Sequence, residues 1–511
     1  MSISNQLNQY KNKNIHIVGI GGAEGSAIAE FLVSQGVSSV TGHDFSSKAD
    51  FKKTFYNTHL SLKPKEREGA LDHLLDLPIR MNFKGHYLEG IDQADMVFVS
   101  QVWFKYPQNM PILENLKDNG VPFKTITNLY FELAPCPIIS VTGTNGKTTT
   151  ARLINSIFNA WGVKVFFAGN DRQNVQVLNR LNEMKKEDIL ILETSSTQLL
   201  LNSEISPYIG VITNITPNHI DDHGSFENYI EAKKNLIRYQ KKGDFAVLNE
   251  KLKVYKVHKA IKSRIFWFSG KKELEEGCFV KNGKIMIREN DKCRFAKNLH
   301  INTPLAPLKR GIEIMKPAIV CNIDDIKIPG KHNLENVLSA VSVTYLYGVD
   351  SKIIKKGISE YTGIKHRLKL LYNIDRIKYY DDTQATTPEA TIAGIGSFDG
   401  DIILLAGGDN KGMNYKELAE KINDKVKFLM LFSGNASDEI EELIDKDKVD
   451  FIRVKDFANA IEELKKYYKK TDPIKNGTVL ISPAAAYFYS KFVENSGKSL
   501  REWIKSVSSI K

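Results

Sequence analysis

The feature that most constrains this chain is the run VTGTNGKTTT at Val141–Thr150, near its middle. An apolar stretch, Pro137–Val141, precedes it and an amphipathic one, Ala151–Phe158, follows, so the segment reads as strand, loop and helix. Such a loop turns backbone N–H groups toward phosphate oxygens. Gly143 and Gly146 let the main chain come close, Lys147 supplies a cation to the β/γ oxygens, and the Thr148 hydroxyl can ligate Mg²⁺. Thr144, Asn145 and Thr149 complete the candidate nucleotide contacts. The strict eight-residue motif has glycine where this chain has Val141, which points to a shorter loop. A Gly-Lys-Thr turn without a ligand is the bland alternative, and it leaves the flanking elements unexplained.

With 511 residues, the chain is expected to divide into about three domains, because single cores stop growing near ~250–300 residues. No apolar run approaches the ~18 residues of a membrane span, and the N-terminus lacks a basic start and apolar core, so a cytoplasmic protein is expected. The four cysteines, Cys136, Cys278, Cys293 and Cys321, are scattered without a C-x-x-C pair, against a disulfide framework or zinc site. The net charge of +11 suits acidic substrates. Its lysines lie in short pairs interleaved with acids, as in Lys185–Asp188, which reads as solvated helix faces rather than a nucleic-acid groove.

Three βα starts divide the chain. Asn14–Gly19 runs into the glycine-rich Gly19–Gly25 and then a helical stretch, Ala27–Val33, while a second strand ends at Asp44. Gly21, Gly22 and Asp44 are the candidate ligand contacts here. The pattern approximates a dinucleotide fingerprint, but its third glycine falls one place late, with Glu24 in its position. Charged Lys63–Glu68 reads as a surface insertion, and Met96–Ser100 as a returning strand. A second domain begins near Pro135 or Pro137, with later strands at Ile189–Glu193 and Ile209–Asn214. Between about 265 and 330 the pattern turns to short β-segments, with a hairpin signal at Asn282–Gly283. Gly330–Asn336 opens a helix. From Ile364 onward, apolar strands at 377–381, 402–407, 428–432 and 479–482 alternate with helical stretches, a further doubly wound sheet. The expected fold class is therefore α/β in three domains: Rossmann-like at 1–134, a central P-loop ATPase domain with a mixed sheet at 135–363, and Rossmann-like again at 364–511.

Glu193 closes an apolar strand after the phosphate loop, where an acid can hold Mg²⁺ on a triphosphate. His219 and His223 stand four apart and could form a zinc pair, but their Gly- and Pro-flanked segment is a poor helix and lacks a third soft ligand.

Across nearly its whole length the chain resembles the Mur ligases, ATP-dependent enzymes that build the peptide of the bacterial wall precursor. The matching stretches are TGTNGKTTT, ETSSTQL, NITPNHIDDHGSFENYIEAKKNL, IPGKHNLENVLSAV, GIKHRL, DDTQATTPEA, LLAGGDNKG and LISPAAAYF, in family order. The second, third and last of these are most similar to the members that add D-glutamate to UDP-N-acetylmuramoyl-L-alanine. GIGGAEGSAIAE is more similar to those that add L-alanine. The resemblance implies that Lys147 and Thr148 hold ATP and Mg²⁺, and that Glu193 is a further Mg²⁺ ligand. It makes His219 a residue placing a second Mg²⁺, and Lys233 a carbamylated lysine. It also makes Asn333 and Asn336 adenine contacts, with helix N-capping as their structural alternative, and Arg367 a phosphate contact. A lysine that has taken up CO₂ is an anion, which reconciles Lys233 with a metal site. Asp382, Thr386, Lys411 and Tyr487 become candidate amino-acid contacts.

The implied reaction turns a terminal alanyl carboxylate into an acyl phosphate that an incoming amine attacks. It needs ATP, two Mg²⁺ and no side-chain nucleophile. UDP-N-acetylmuramoyl-L-alanine and D-glutamate are the expected substrates of a monomer that engages neither nucleic acid nor membrane. The D-glutamate members usually carry lysine where this chain has Gln384 and serine where it has Tyr487, so another added amino acid is the alternative. An NAD-dependent oxidoreductase, from another class, would leave the phosphate loop and Lys233 without a role. Folate-polyglutamate ligases lack the N-terminal domain.

Overall fold

The computed structural model describes residues 3–506 apart from 102, 104–105, 107–108, 171–174, 202–203, 218–219, 290–316, 375, 411, 471–476, 487 and 494–495. Its first strands are β1 (Asn14–Val18), β2 (Ser39–His43), β3 (Arg80–Asn82), β4 (Met96–Val99) and β5 (Phe123–Lys124). They pair in the order β3-β2-β1-β4-β5, every pair parallel.

The second group is β6 (Ile138–Thr142), β7 (Val165–Gly169), β8 (Ile189–Glu193), β9 (Ile209–Ile212), β10 (Phe245–Asn249), β11 (Arg264–Ser269), β12 (Gly277–Lys281), β13 (Lys284–Arg288) and β14 (Ala318–Asn322). Their order is β14-β13-β12-β11-β10-β9-β6-β8-β7. Pairing is parallel from β7 to β12 and antiparallel beyond, so the sheet is mixed. Asn282 and Gly283 have φ of 51° and 71°, the two left-handed residues that a two-residue hairpin between β12 and β13 requires. The third group is β15 (Lys369–Ile374), β16 (Ile377–Asp381), β17 (Ile402–Gly407), β18 (Val426–Phe432), β19 (Asp450–Val454) and β20 (Thr478–Ile481). It pairs in the order β15-β16-β20-β17-β18-β19, with only β15–β16 antiparallel among the described pairs.

The chain packs as two compact units, one of Met1–Ile323 with Glu335–Ile358, the other of Asp324–Leu334 with Ser359–Lys511. The first two sheets thus share a unit. A single apolar cluster explains this, running from Ile15 and Phe31 through Leu129 and Phe131, on the helix Ile126–Leu133, to Phe166 and Leu190 under the central sheet. Buried on both faces, β6, β8, β9 and β10 are apolar almost throughout, as parallel strands covered by helices must be.

Two stretches singled out from sequence take definite form in the structure. Lys63–Glu68, read as a surface insertion, opens the helix Pro64–Asp76, whose Leu71 and Leu74 are buried, and the Lys63 amide donates to Glu66 Oε2 (2.9 Å) at its start. The first turn is charged because its side chains face water. The segment before Gly224, read as a poor helix, forms one helical turn at Ile220–His223.

Gly25 takes over the packing role of the displaced third glycine in the first βα loop. A Cβ there would lie 2.3 Å from the Gly19 carbonyl oxygen. The described residues contain no helix long and apolar enough to cross a membrane. Cys136, Cys278 and Cys321 are buried free thiols, and Cys293 lies outside the described residues.

Candidate active site

Val141 is an interior residue of β6, fully buried and paired with Glu193 on one side and Val211 on the other. A β-branched residue suits that place better than glycine, so the loop proper is only Gly143–Gly146. The helix Lys147–Trp161 then starts from Gly146, whose φ is 83°. Both glycines are enforced by space. A Cβ at Gly143 would meet Thr213 Oγ1 at 1.9 Å, and one at Gly146 would meet Asn336 Oδ1 at 2.1 Å.

The loop is braced by the segment after β9. Thr144 N donates to Asn214 O (3.0 Å), Asn145 N to Asn214 Oδ1 (2.9 Å), and Thr213 Oγ1 to Asn145 O (2.7 Å). Lys147 Nζ donates to the carbonyls of Gly143 (3.0 Å) and Thr144 (3.1 Å), which keeps the ammonium over the loop. Thr148 and Thr149 occupy the helix's first turn, half-buried, where N–H groups and the helix dipole favour an anion.

Beside β6, Glu193 ends β8 and is 4% exposed. Asn170 N donates to its carbonyl (3.0 Å), and Thr194 N donates to Val141 O (3.0 Å), so strand ends and loop form one hydrogen-bonded rim. Lys233 lies on the helix Phe226–Arg238, which Ser225 caps through Asn228 N (3.0 Å). It is 1% exposed, and its Nζ lies 4.5 Å from the centroid of the Tyr229 ring, one turn earlier. Among the described residues no carboxylate forms an ion pair with Lys233. Burial, and next the positive charge of Lys147, hold its amine well below the usual lysine range. Tyr229 OH lies 3.0 Å from Thr144 Oγ1 and ties this helix to the phosphate loop. Tyr229 was not singled out from sequence, although its i−4 spacing from Lys233 placed both on one helix face.

Hard oxygen donors are what Mg²⁺ prefers, and Thr148 supplies a hydroxyl from the first turn of the helix after β6 and Glu193 a carboxylate from the end of the adjoining β8. No group of three or more His, Cys, Asp or Glu is gathered for a metal among the described residues. His219 lies outside the described residues. His223 is buried, its Nε2 3.0 Å from Ser196 Oγ. Asn336 is buried, its Oδ1 accepting from Thr150 Oγ1 (3.4 Å) under the loop, so it supports Gly146 from below.

In the first sheet, Gly21 N donates to Asp44 Oδ2 (3.0 Å), while Ser46 N (2.9 Å) and Ser46 Oγ (2.6 Å) donate to Asp44 Oδ1. The acid after β2 therefore closes the glycine-rich loop that holds Gly21 and Gly22.

The second unit carries the remaining candidates. Asn333 is buried, and its Nδ2 donates to Pro329 O (2.5 Å). Exposed Arg367 donates through Nε to Gln384 Oε1 (2.8 Å). Asp382 is buried at the end of β16, accepting from Ser482 Oγ (2.8 Å) and Leu368 N (3.1 Å), and burial pushes its carboxyl up to about 7. Thr386 is exposed, and its N donates to Gln384 O (2.9 Å). His366, missed from sequence, has Nδ1 2.8 Å from Asp381 Oδ2 and a ring 4.6 Å from that of Tyr489. Lys411 and Tyr487 lie outside the described residues.

A phosphate loop on the middle one of three α/β sheets, tied to a helix that carries a buried lysine, defines the class of ATP-dependent ligases. A match described as "Mur ligase middle domain" covers residues 141–344, and one described as "Mur ligase, glutamate ligase domain" covers 366–484. The UDP-N-acetylmuramoylalanine–D-glutamate ligase of Pelotomaculum thermopropionicum is 30% identical over 98% of this chain and 99% of its own. That of Alkaliphilus oremlandii is 34% identical over 88% of this chain and 92% of its own. The chain belongs to the Mur ligase family.

Solved structures agree at the level of fold. MurF from Acinetobacter baumannii superposes with a TM-score of 0.53 at 15% identity, covering 98% of each chain. UDP-N-acetylmuramate–alanine ligase from Thermotoga maritima gives 0.51 at 17%, covering 95% of this chain and 99% of its own.

Proposed function

We propose that this enzyme joins D-glutamate to the alanyl carboxylate of UDP-N-acetylmuramoyl-L-alanine, using ATP and releasing ADP and phosphate. The γ-phosphoryl group passes to the carboxylate oxygen. The amine then attacks the acyl carbon, the acyl C–O bond breaks with loss of phosphate, and a proton leaves the nitrogen. The observation that carries the reading is the buried Lys233 beside the phosphate loop, with which no carboxylate forms an ion pair among the described residues.

A neutral amine there adds CO₂ and sheds a proton, becoming a carbamate. That anion would join Thr148 and Glu193 as an oxygen donor, with His219 as a further candidate near a second ion. Mg²⁺, when bound with ATP, supplies positive charge to the phosphate oxygens. Lys147 neutralises charge as two anions approach, and the loop N–H groups orient the phosphates. Nucleotide would also engage Arg367 and Asn333, and a MurF structure from Thermotoga maritima was solved in complex with ADP.

The first sheet, whose strand order is that of dinucleotide-binding folds, would hold the nucleotide-sugar. Past the end of β2, Phe45 lies 5.5 Å from both Tyr87 and Tyr106 by ring centroid, an aromatic surface on which a base can stack. Asp382, Thr386, Lys411 and Tyr487 would line the amino-acid site. The enzyme would act as a cytoplasmic monomer.

Gln384 supports a second reading, a Mur ligase with a different amino-acid preference. Its amide already accepts from Arg367, so it offers a neutral contact where a cation would grip a side-chain carboxylate. Phosphate release from ATP, measured with UDP-N-acetylmuramoyl-L-alanine and each of several amino acids, separates the two. Stimulation by D-glutamate alone is the expected result. Stimulation by another amino acid selects the second reading, and no stimulation by the nucleotide-sugar rejects both.

A further inference from the structure

Glu24 is the second residue of the helix Ala23–Ser34, directly after the glycine-rich loop, and is 7% exposed. An acid near a helix start has a local benefit from the dipole, but this one faces away from water. Its Oε1 accepts from Gln198 Nε2 (2.5 Å) and its Oε2 from Gln101 N (3.2 Å), just past β4. Burial pushes its carboxyl up to about 7, a penalty that an apolar residue of similar size would avoid.

Gln198 belongs to the central sheet's rim. Its Oε1 accepts from Ser195 N (2.8 Å), and its own N donates to Ser195 Oγ (3.2 Å), two residues beyond Glu193. The same short helix, Ser196–Leu199, reaches the other rim elements. Ser196 Oγ lies 3.0 Å from His223 Nε2, and Leu199 O accepts from Asn235 Nδ2 (2.9 Å) on the helix of Lys233. Hydrogen bonds joined through the backbone of this short helix therefore link Glu24, at the first glycine-rich loop, to the segment just after Glu193 and to the helix of Lys233.

We propose that Glu24 is a positioning residue that couples the two loops: through Gln198, occupancy of the first sheet's nucleotide-sugar site sets the alignment of the ATP site. The inference rests on the function proposed above. It assigns a reason to the one residue that breaks the dinucleotide fingerprint.

The test measures affinity for a non-hydrolysable ATP analogue with Mg²⁺, in the presence and absence of UDP-N-acetylmuramoyl-L-alanine, on the full chain. Wild type is expected to bind the analogue about fivefold or more tightly when the nucleotide-sugar is present, and reciprocally. Glu24→Gln keeps the volume but faces one donor with another, so its ratio falls toward one while melting temperature and affinity for each ligand alone hold. Combining it with Gln198→Glu swaps donor and acceptor across the contact: the amide introduced on the first helix donates to the carboxylate introduced on the rim, which still accepts from Ser195 N. That double variant is expected to recover the ratio.

A Glu24→Gln protein that keeps the wild-type ratio, or that loses melting temperature and both single-ligand affinities together with the ratio intact, overturns the proposal. Independent binding of both ligands to wild type overturns it while leaving the substrate assignment standing. No nucleotide-sugar binding to wild type rejects that assignment and the coupling with it.

Discussion

Lys233 concentrates the chemistry in one side chain. Its native amine titrates below the unfolded value of 10.5, so the folded state binds fewer protons than the unfolded chain between those two pKa values. Stability due to this group therefore rises with pH through that window, and the destabilisation is full below it. Lys233→Met should melt at least about 2 °C above the nucleotide-free wild type at pH 7, with the advantage fading near pH 10.5, as differential scanning calorimetry at several pH values would reveal. The same variant should be inactive. Lys233→Ala should lose roughly 10²-fold or more in phosphate release, and formate or acetate should restore part of it. Full activity without rescue would rule out the carbamate. Asp382 has the opposite sign: its carboxyl is raised to about 7 from 3.8, so ionisation destabilises the fold increasingly as pH climbs between them. Asp382→Asn should gain melting temperature relative to wild type between about pH 4 and pH 8, and a constant difference would contradict the burial argument. Lys233 was legible only through the family resemblance, because a lysine beside Lys234 on an amphipathic helix is otherwise a solvated residue. Asp382's burial was not legible, since it follows from Ser482 arriving one hundred positions later in the chain.

At the scale of elements, the phosphate loop is held by partners from three separate stretches, Thr213–Thr216, Tyr229 and Asn336. Gly146→Ala should abolish ATP-analogue binding and destabilise by more than the ~1 kcal/mol of an exposed helical Gly/Ala exchange, because both φ and the Asn336 amide forbid a Cβ. Adding Asn336→Ala should relieve the steric part alone, so a double-mutant cycle by urea melts should give a coupling of about 0.5–3 kcal/mol. Strict additivity would mean that the two do not touch. The aromatic surface at Phe45 is a second element-level test: Phe45→Ala should raise the KM for nucleotide-sugar by about tenfold and leave that for ATP unchanged in initial-rate assays. The loop itself was readable because strand, glycines and helix follow one another without interruption between Pro137 and Phe158. The helix at Pro64–Asp76 was not, since its charged first turn hid the two leucines that anchor it.

For the whole molecule, the division into two compact units predicts two calorimetric transitions rather than one. Mg²⁺ with an ATP analogue should raise the transition of the larger unit, which carries the phosphate loop, and a single ligand-insensitive transition would argue against it. By itself the sequence determined the α/β class, the mixed central sheet and the loop, because these depend on periodicity and neighbouring residues. It also placed Glu193 and Lys233 as candidates. Only the tertiary structure decided that the first two sheets share one core, that Asp324–Leu334 packs with the last segment, and that Glu24 reaches Gln198 across 174 positions. Those outcomes depend on which surfaces exclude water together and which buried polar atoms find partners, and neither is written in local order along a chain.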